Sequence, residues 1–134
     1  MKTPIYIIFA LEDHMACDRL IDQARNSKVP VEFQRMLTKV PWAPLWKAQC
    51  RSRIFGCEGA IFLISKNTND GVGLSWELAC VREAGLPLLG VQVDRMKRGA
   101  IPEGFGDSKV IEWNWPEIET FIQSFTKRTW GATT

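Results

Sequence analysis

The chain has 134 residues, of which 46% are hydrophobic and 24% charged, and its formal net charge is +2. This composition is typical of a globular protein with one core. We expect a single domain over residues 1–134, with a frayed tail over residues 130–134. The small net charge argues against a nucleic-acid partner. No apolar run in the sequence has membrane-spanning length, which argues against a membrane partner.

The cysteines and the histidine do not form a metal-ligand pattern. None of the four cysteines has CxxC spacing, and His14 is the single histidine. We therefore expect free thiols, no metal site and a cytoplasmic protein. The N-terminus leads into a short apolar segment without a small-residue cleavage site, which favours a buried strand over a signal peptide. The cysteines are Cys17, Cys50, Cys57 and Cys80.

The first third of the chain alternates between strand and helix patterns. Residues 4–10 are nearly all apolar and rich in β-formers, which predicts a strand that is buried on both faces. A short acidic turn follows, with Asp13 as the expected N-cap of the next helix. Residues 29–33 alternate between apolar and polar side chains, and this pattern favours an edge strand.

The middle of the chain predicts a second helix, a central strand and a third helix. Pro44 is expected at the start of the second helix, and its inner face includes Trp46. Residues 59–65 form the most apolar run and are expected at the centre of the sheet. The third helix follows the loop that ends at Gly71, with one inward stripe. That stripe consists of Leu74, Leu78 and Val81.

Two further strands and a helix complete the pattern. Residues 86–93 and 109–113 read as strands, and Asn114 is a good N-cap for the last helix. Strands alternating with helices predict a flavodoxin-like α/β fold. We expect a three-layer sandwich with a five-stranded parallel sheet of order 2-1-3-4-5 and helices on both faces. The order reverses between the first and third strands, so the loops at 10–14 and 65–77 should border one crevice.

Several common functional fingerprints are missing from this crevice. There is no GxGxxG after the first strand, no Walker A lysine and no complete GxSxG elbow. The third strand ends Ile64-Ser65-Lys66, without the aspartate that a phospho-acceptor domain would need. Glu77 and Trp76 remain, in the first turn of the third helix. A fixed carboxylate stabilises the positive oxocarbenium-like transition state of cleavage at an anomeric carbon. The structural alternative is a first-turn glutamate favoured by the helix dipole.

Short motifs in a specific order carry a resemblance that spans nearly the whole chain. The most telling is the Trp76-Glu77 pair at a helix start after the third strand. The others are Ile5–Phe9 with its acidic turn, Arg51–Ile54, Phe62–Ser65 with Asn67-Thr68, Leu89–Val93, Ile101-Pro102 and Val110–Asn114. In these features the chain resembles the TIR-like family in its short bacterial form, found in Thoeris-type antiphage systems.

The resemblance implies a function, and the crevice supplies candidate residues. The family cleaves the nicotinamide–ribose bond of NAD, and Glu77 matches its catalytic glutamate. In the Thoeris form the product is a cyclic or modified ADP-ribose signal that activates an effector protein. The resemblance therefore implies NAD or a related nucleotide as substrate, no cofactor, antiviral defence and possible self-association. We assign substrate contacts to Phe9, Ala10, Leu11, Trp46, Ser65 and Trp76, and Trp42 is a further candidate for the pocket wall.

Two other functions stay open on the sequence. One is a nucleoside or nucleotide N-glycosidase or transferase with Glu77 as nucleophile. The other is a non-catalytic module that pairs with similar domains. If Glu77 is catalytic, Glu77→Gln should abolish glycosidic cleavage. It should cost only the first-turn dipole stabilisation, roughly 0.3–1 kcal/mol.

Overall fold

The computed structural model describes residues 2–39 and 45–131, with side chains up to residue 125. Five strands and four α-helices alternate along these residues, apart from the direct step between the last two strands. The strands are β1 (Thr3–Ile8), β2 (Val31–Gln34), β3 (Gly59–Ile64), β4 (Leu88–Gln92) and β5 (Lys109–Glu112). The helices are α1 (His14–Asn26), α2 (Leu45–Phe55), α3 (Leu74–Glu83) and α4 (Trp115–Gly131).

All strand pairs in the sheet are parallel, and their order is β2-β1-β3-β4-β5. This confirms the predicted flavodoxin-like α/β fold and its reversal between β1 and β3. Every residue of β3 and β4 is buried, whereas β2 is half-exposed at the sheet edge. The near-continuous apolar runs therefore form the centre of the sheet, as parallel strands with both faces covered require.

The sheet separates two hydrophobic clusters, and alternate residues of β1 point into each. Ile5 and Ile7 join the cluster that contains residues of α1 and α4. Tyr6 and Ile8 join the cluster that contains residues of α2 and α3. Tyr6 thus carries the only tyrosine hydroxyl of the chain into an otherwise apolar layer. A buried hydroxyl needs a hydrogen-bond partner, and its partner lies on α3.

Some local predictions were wrong or fall outside the described residues. Asp13 lies at the start of α1 but its side chain makes no capping hydrogen bond, because it bonds instead to the loop after β3. The last helix α4 extends to Gly131, and the frayed tail expected over residues 130–134 stays a prediction. Residues 132–134, Trp42 and Pro44 lie outside the described residues, so the predictions made for them stay predictions.

The inward stripe of α3 is buried as predicted, and it yields a stability test. Leu78 is 3% exposed and packs in the cluster between the sheet and α2. Leu78→Ala should lower the free energy of unfolding by roughly 2–5 kcal/mol, because it deletes buried methyl groups and leaves a cavity. Urea denaturation measures this loss. Met15→Ala, at a side chain that is 74% exposed, is the control and should change little.

Candidate active site

Glu77 lies in the first turn of α3, and its side chain faces the sheet. The helix begins after Gly73, whose φ of 77° is left-handed, and the Glu77 amide donates to the Gly73 carbonyl at 3.0 Å. The sequence places Glu77 beside an open crevice. In the structure the residue is fully buried, with 0% exposure. A buried carboxylate must be paired, so its contacts define what this site can do.

Lys39, from the segment after β2, pairs with Glu77 inside the protein. Lys39 Nζ lies 2.5 Å from Glu77 Oε1, and the two side chains are 0% and 1% exposed. The same ammonium donates to the Phe9 carbonyl at 3.2 Å. It also lies 5.7 Å from the centre of the Phe9 ring. The carboxylate therefore holds a cation in a dry site at the carboxyl end of β1.

The second oxygen of Glu77 has a different partner. The Tyr6 hydroxyl donates a short hydrogen bond to Glu77 Oε2, and it also lies 3.4 Å from Cys50 Sγ. Burial and the Glu77 charge both raise the pKa of Tyr6 far above its ordinary value, so the phenol stays protonated. Burial likewise raises the pKa of Cys50, to about 11. Glu77 therefore accepts hydrogen bonds from two groups, the neutral Tyr6 hydroxyl and the Lys39 ammonium.

Two opposing effects act on the charge of Glu77. Burial raises the pKa of its carboxyl, while the Lys39 ammonium and the Tyr6 hydroxyl act in the opposite direction. Burial is the largest of these effects, so the pKa of Glu77 is raised overall, and the Lys39 ammonium at 2.5 Å offsets part of that rise. Removing either partner would leave an uncompensated buried charge, which is far more costly than losing a surface ion pair.

Close packing covers the pair from the side of α2. A Cβ added at Gly73 would lie 2.5 Å from Trp46 Cη2 and 3.1 Å from Lys39 Cδ. Only glycine fits there, because both the positive φ and these two contacts exclude a side chain. Trp46 is 6% exposed and also borders a cavity of about 430 Å³ formed with residues 35–38 of the segment that carries Lys39. Trp46 is thus both a core residue and a neighbour of the Lys39 segment.

Trp76 lies away from the carboxylate. Its indole Nε1 donates to the Lys47 carbonyl at 3.3 Å, and the Lys47 ammonium lies 5.2 Å from its ring centre. Trp76 is partly buried against the cluster between the sheet and α2. It therefore links α3 to the start of α2, on the side of α3 that faces away from the Lys39–Glu77 pair. Its predicted substrate contact would require an approach from that outer side.

Ser65 belongs to a second polar cluster at the carboxyl ends of β1 and β3. Its hydroxyl donates a short hydrogen bond to Asp13 Oδ2, and the Asn67 side-chain amide donates to Asp13 Oδ1 at 2.9 Å. The Thr68 hydroxyl accepts from the Ser65 amide at 2.8 Å. A cavity of about 170 Å³ is lined by Asp13, Ser65, Lys66, Asn67, Val93, Asp94 and Lys97. The loop after β1 is thereby clasped to the loop after β3.

This clasp predicts an effect for Asp13. Asp13→Ala should lower the free energy of unfolding by roughly 1.5–3 kcal/mol, because hydrogen bonds to a charged acceptor contribute that much. Glu12→Ala is the matched control, since Glu12 is the exposed neighbour in the same turn. Urea denaturation of both variants checks the effect. Equal losses in the two variants would show that the clasp contributes nothing specific.

The remaining predicted contact residues lie at the end of β1 and just after it. Phe9 is 1% exposed in the cluster with α1 and α4, and it meets Lys39 through both its backbone carbonyl and its ring. Ala10 is fully buried in the opposite cluster, and Leu11 is partly buried. Phe9 and Leu11 therefore pack on the α1 and α4 side of the sheet, and Ala10 packs on the α2 and α3 side. The described residues do not bring all six predicted contact residues into one open cavity.

Sequence reasoning missed the two side chains that contact Glu77. The sequence did not indicate that Lys39 belongs to the site, because a lysine in a loop is expected to be solvated. Tyr6 is the only tyrosine of the chain and sits in a continuous apolar run, where its hydroxyl demands a partner. A tyrosine within an apolar strand was thus the one feature of the sequence that indicated a buried polar site.

Comparisons with known proteins bear on the fold. The chain is similar to the TIR domain of the Toll-related receptor TRR-2 from Hydra magnipapillata. The TM-score is 0.56 at 10% identity, over 93% of this chain and 95% of that one. The chain has a TIR-type fold. It is also similar to a de novo designed Rossmann 2x3 fold protein, with a TM-score of 0.53 at 12% identity, over 96% of this chain and 91% of the other. No family model and no curated protein matches the chain.

The described residues hold neither a cluster of metal ligands nor a membrane-spanning helix. Within residues 2–39 and 45–131, no group of three or more histidine, cysteine, aspartate or glutamate side chains is arranged to hold a metal ion. In the same residues, no helix combines the length and apolarity needed to cross a bilayer. All four cysteines are buried free thiols.

Proposed function

We propose that this chain is a TIR-type enzyme that cleaves the nicotinamide–ribose bond of NAD, with Glu77 as its catalytic carboxylate. One observation carries the proposal. The Glu77 carboxylate is fully buried at the carboxyl edge of the sheet and already binds a cation at 2.5 Å. A dry carboxylate that holds a positive charge has the electrostatics that an oxocarbenium-like transition state requires.

The proposed reaction breaks the bond between the anomeric carbon and the pyridinium nitrogen. Nicotinamide leaves as a neutral molecule with the bonding electron pair, and the positive charge passes to the ribosyl ring. Glu77 stabilises that charge. Water then attacks the anomeric carbon and releases a proton, which yields ADP-ribose. Attack by a nucleophile of the same molecule instead yields a cyclic product.

Lys39 and the substrate compete for the same carboxylate. Lys39 Nζ occupies the position beside Glu77 Oε1 where the developing ribosyl cation would lie. Two cations cannot share that oxygen without repulsion in a low-dielectric site. Catalysis therefore requires Lys39 to withdraw with its loop segment. In the closed arrangement the enzyme is latent.

The biological part of the proposal rests on the sequence resemblance. By that resemblance, the product is a (cyclic) ADP-ribose-type signal that activates an effector protein in bacterial antiphage defence. Self-association is the simplest trigger for moving Lys39, because a second copy can contact its exposed neighbours. The four buried free thiols favour a reducing compartment, so we propose a cytoplasmic location.

A specific observation favours a second candidate, a non-catalytic TIR-type interaction module. Both members of the Lys39–Glu77 pair are buried, with side chains 0% and 1% exposed. In this alternative, the pair has one role, which is to hold the segment after β2 against α3. In that case neither substitution nor self-association would produce catalysis. Loss of either residue would then change stability alone.

The direct test is incubation of purified protein with NAD, followed by measurement of free nicotinamide. We expect release above background, and more at protein concentrations where gel filtration shows oligomers. A panel of nucleosides and nucleotides in the same assay tests the N-glycosidase alternative. Cleavage of these compounds without nicotinamide release would contradict NAD as substrate. Background signal with all of them would favour the interaction module.

A further inference from the structure

We propose that Tyr6 is a positioning residue that holds Glu77 Oε2 while Oε1 is exchanged between Lys39 and the reacting ribosyl group. This inference rests on the proposed function and extends it to a residue on β1. Tyr6 is not expected to touch the substrate. It acts through Glu77, by orienting the carboxylate and by keeping it charged.

The two oxygens of Glu77 have separate partners, which is the basis of the proposal. Lys39 Nζ contacts Oε1 at 2.5 Å, and the Tyr6 hydroxyl donates to Oε2. When Lys39 withdraws, Oε1 becomes free while Oε2 keeps its hydrogen bond. The carboxylate therefore cannot rotate freely, and it presents one defined oxygen to the ribosyl cation. Such preorganisation avoids reorganisation during the reaction.

Tyr6 is fixed more firmly than Lys39. It is fully buried in the middle of β1, which pairs with β2 on one side and β3 on the other. Its ring belongs to the hydrophobic cluster that also contains Leu74 and Leu78 of α3. Lys39 lies in an irregular segment after β2. The donor on the sheet is thus the permanent partner, and the donor on the loop is the exchangeable one.

Among the described residues, four titratable groups lie at or near the Glu77 carboxyl. Lys39 on the loop segment and Tyr6 on β1 contact it, Cys50 on α2 contacts the Tyr6 hydroxyl, and Cys80 follows Glu77 on α3. Burial raises the pKa values of both thiols, so they are neutral near pH 7. With Lys39 withdrawn, the Tyr6 hydroxyl is the group among these four that still donates to the carboxylate. Its loss would therefore favour the protonated form of Glu77.

The test uses the Lys39→Met variant, in which Tyr6 is the donor left on Glu77. Glutamate labelled with ¹³C at Cδ reports the titration of Glu77 by NMR, and the signal is assigned by its absence in Glu77→Gln. Adding Tyr6→Phe should raise the titration midpoint by about one pH unit, because hydrogen bonds to charged groups are worth roughly that shift. Adding Cys50→Ala instead is the matched control. It removes the other contact of the hydroxyl and should leave the midpoint nearly unchanged.

A second measurement needs no change at Tyr6. Because the chain has one tyrosine, ¹³C at Cζ of tyrosine gives a single signal. In Lys39→Met this signal should shift with the same midpoint as Glu77, and it should stay flat when Glu77→Gln is added. A flat signal in Lys39→Met would overturn the inference, even if Tyr6→Phe failed to fold. So would a Glu77 midpoint that Tyr6→Phe leaves unchanged.

Kinetics then separate positioning from a purely structural role. Tyr6→Phe in the Lys39→Met background should lower kcat for nicotinamide release about tenfold with KM within twofold. It should also move the acidic limb of the pH profile to higher pH. A stability loss with unchanged kcat and an unchanged profile would contradict positioning. If no variant releases nicotinamide, the proposed NAD cleavage fails, whereas the NMR titrations still decide whether Tyr6 controls the charge of Glu77.

Discussion

Glu77→Gln is expected to lower the rate of nicotinamide release about a hundredfold or more. The substitution keeps the size of the side chain and removes its charge. The ribosyl cation then loses its counter-charge, and removal of one preorganised electrostatic partner typically has an effect of this size. Turnover of NAD by the parent and the variant, at equal concentrations of folded protein, measures the effect. Equal rates would remove Glu77 from the mechanism.

The same substitution should also lower stability, and by more than the sequence suggests. The sequence alone predicts only the loss of a first-turn dipole contribution, roughly 0.3–1 kcal/mol. In the structure, Glu77→Gln leaves the Lys39 ammonium buried without its counterion. Breaking a buried pair in this way costs about 3–5 kcal/mol. Urea denaturation distinguishes the two values. A loss below about 1 kcal/mol would show that the pair is open in solution.

Lys39→Met should have the opposite effect on catalysis. Methionine fills a similar apolar volume but cannot bind the carboxylate, so the closed state loses its ion pair. We expect basal nicotinamide release to rise about tenfold or more, since the competent fraction sets the apparent activity. Arg53→Met is a control on an exposed cation near the same segment, where the side chain donates to the Arg35 carbonyl. It should leave basal release within about twofold of the parent.

The stability of Lys39→Met should depend on pH in a defined direction. Burial raises the pKa of Glu77, and loss of Lys39 removes a group that lowers it. A raised folded-state pKa gives stability that is fully present below the ordinary glutamate value and is lost as pH rises. The deficit of Lys39→Met relative to the parent should therefore be smaller at pH 5 than at pH 8. A deficit that shrinks toward pH 8 would contradict the raised pKa.

The fold was predictable because its signals are local and redundant. The strands β1 and β3 appear as continuous apolar runs, and α3 carries an inward stripe of residues such as Leu78. Alternation of strands and helices then leaves few sheet orders. The local errors lay at the ends of helices, where a polar side chain can hydrogen-bond either to its own helix or to a distant loop. Asp13 had a helix to cap, but it bonds to Ser65 and Asn67 instead.

The site was predictable only in part, because its essential contacts join distant segments. The spacing around Glu77 placed it at the start of α3 beside the sheet. It gave no information about Lys39, which is 38 residues away in the chain, or about Tyr6, which is 71 residues away. Pattern reasoning assumes that loop lysines are solvated. The buried pair violates that assumption, and such violations are expected where a protein holds a functional or strained group.

The most direct test compares Lys39→Met with the double variant Lys39→Met/Glu77→Gln, measuring unfolding and nicotinamide release on the same samples. Removing both charges leaves neither ion unpaired, so the double variant should be more stable than the sum of the single losses predicts. It can therefore be compared as a folded protein. We predict rapid release of nicotinamide from NAD by Lys39→Met and background release by the folded double variant. Equal release by the two would contradict the role of Glu77, and background release by both, also when self-associated, would contradict NAD cleavage by this chain.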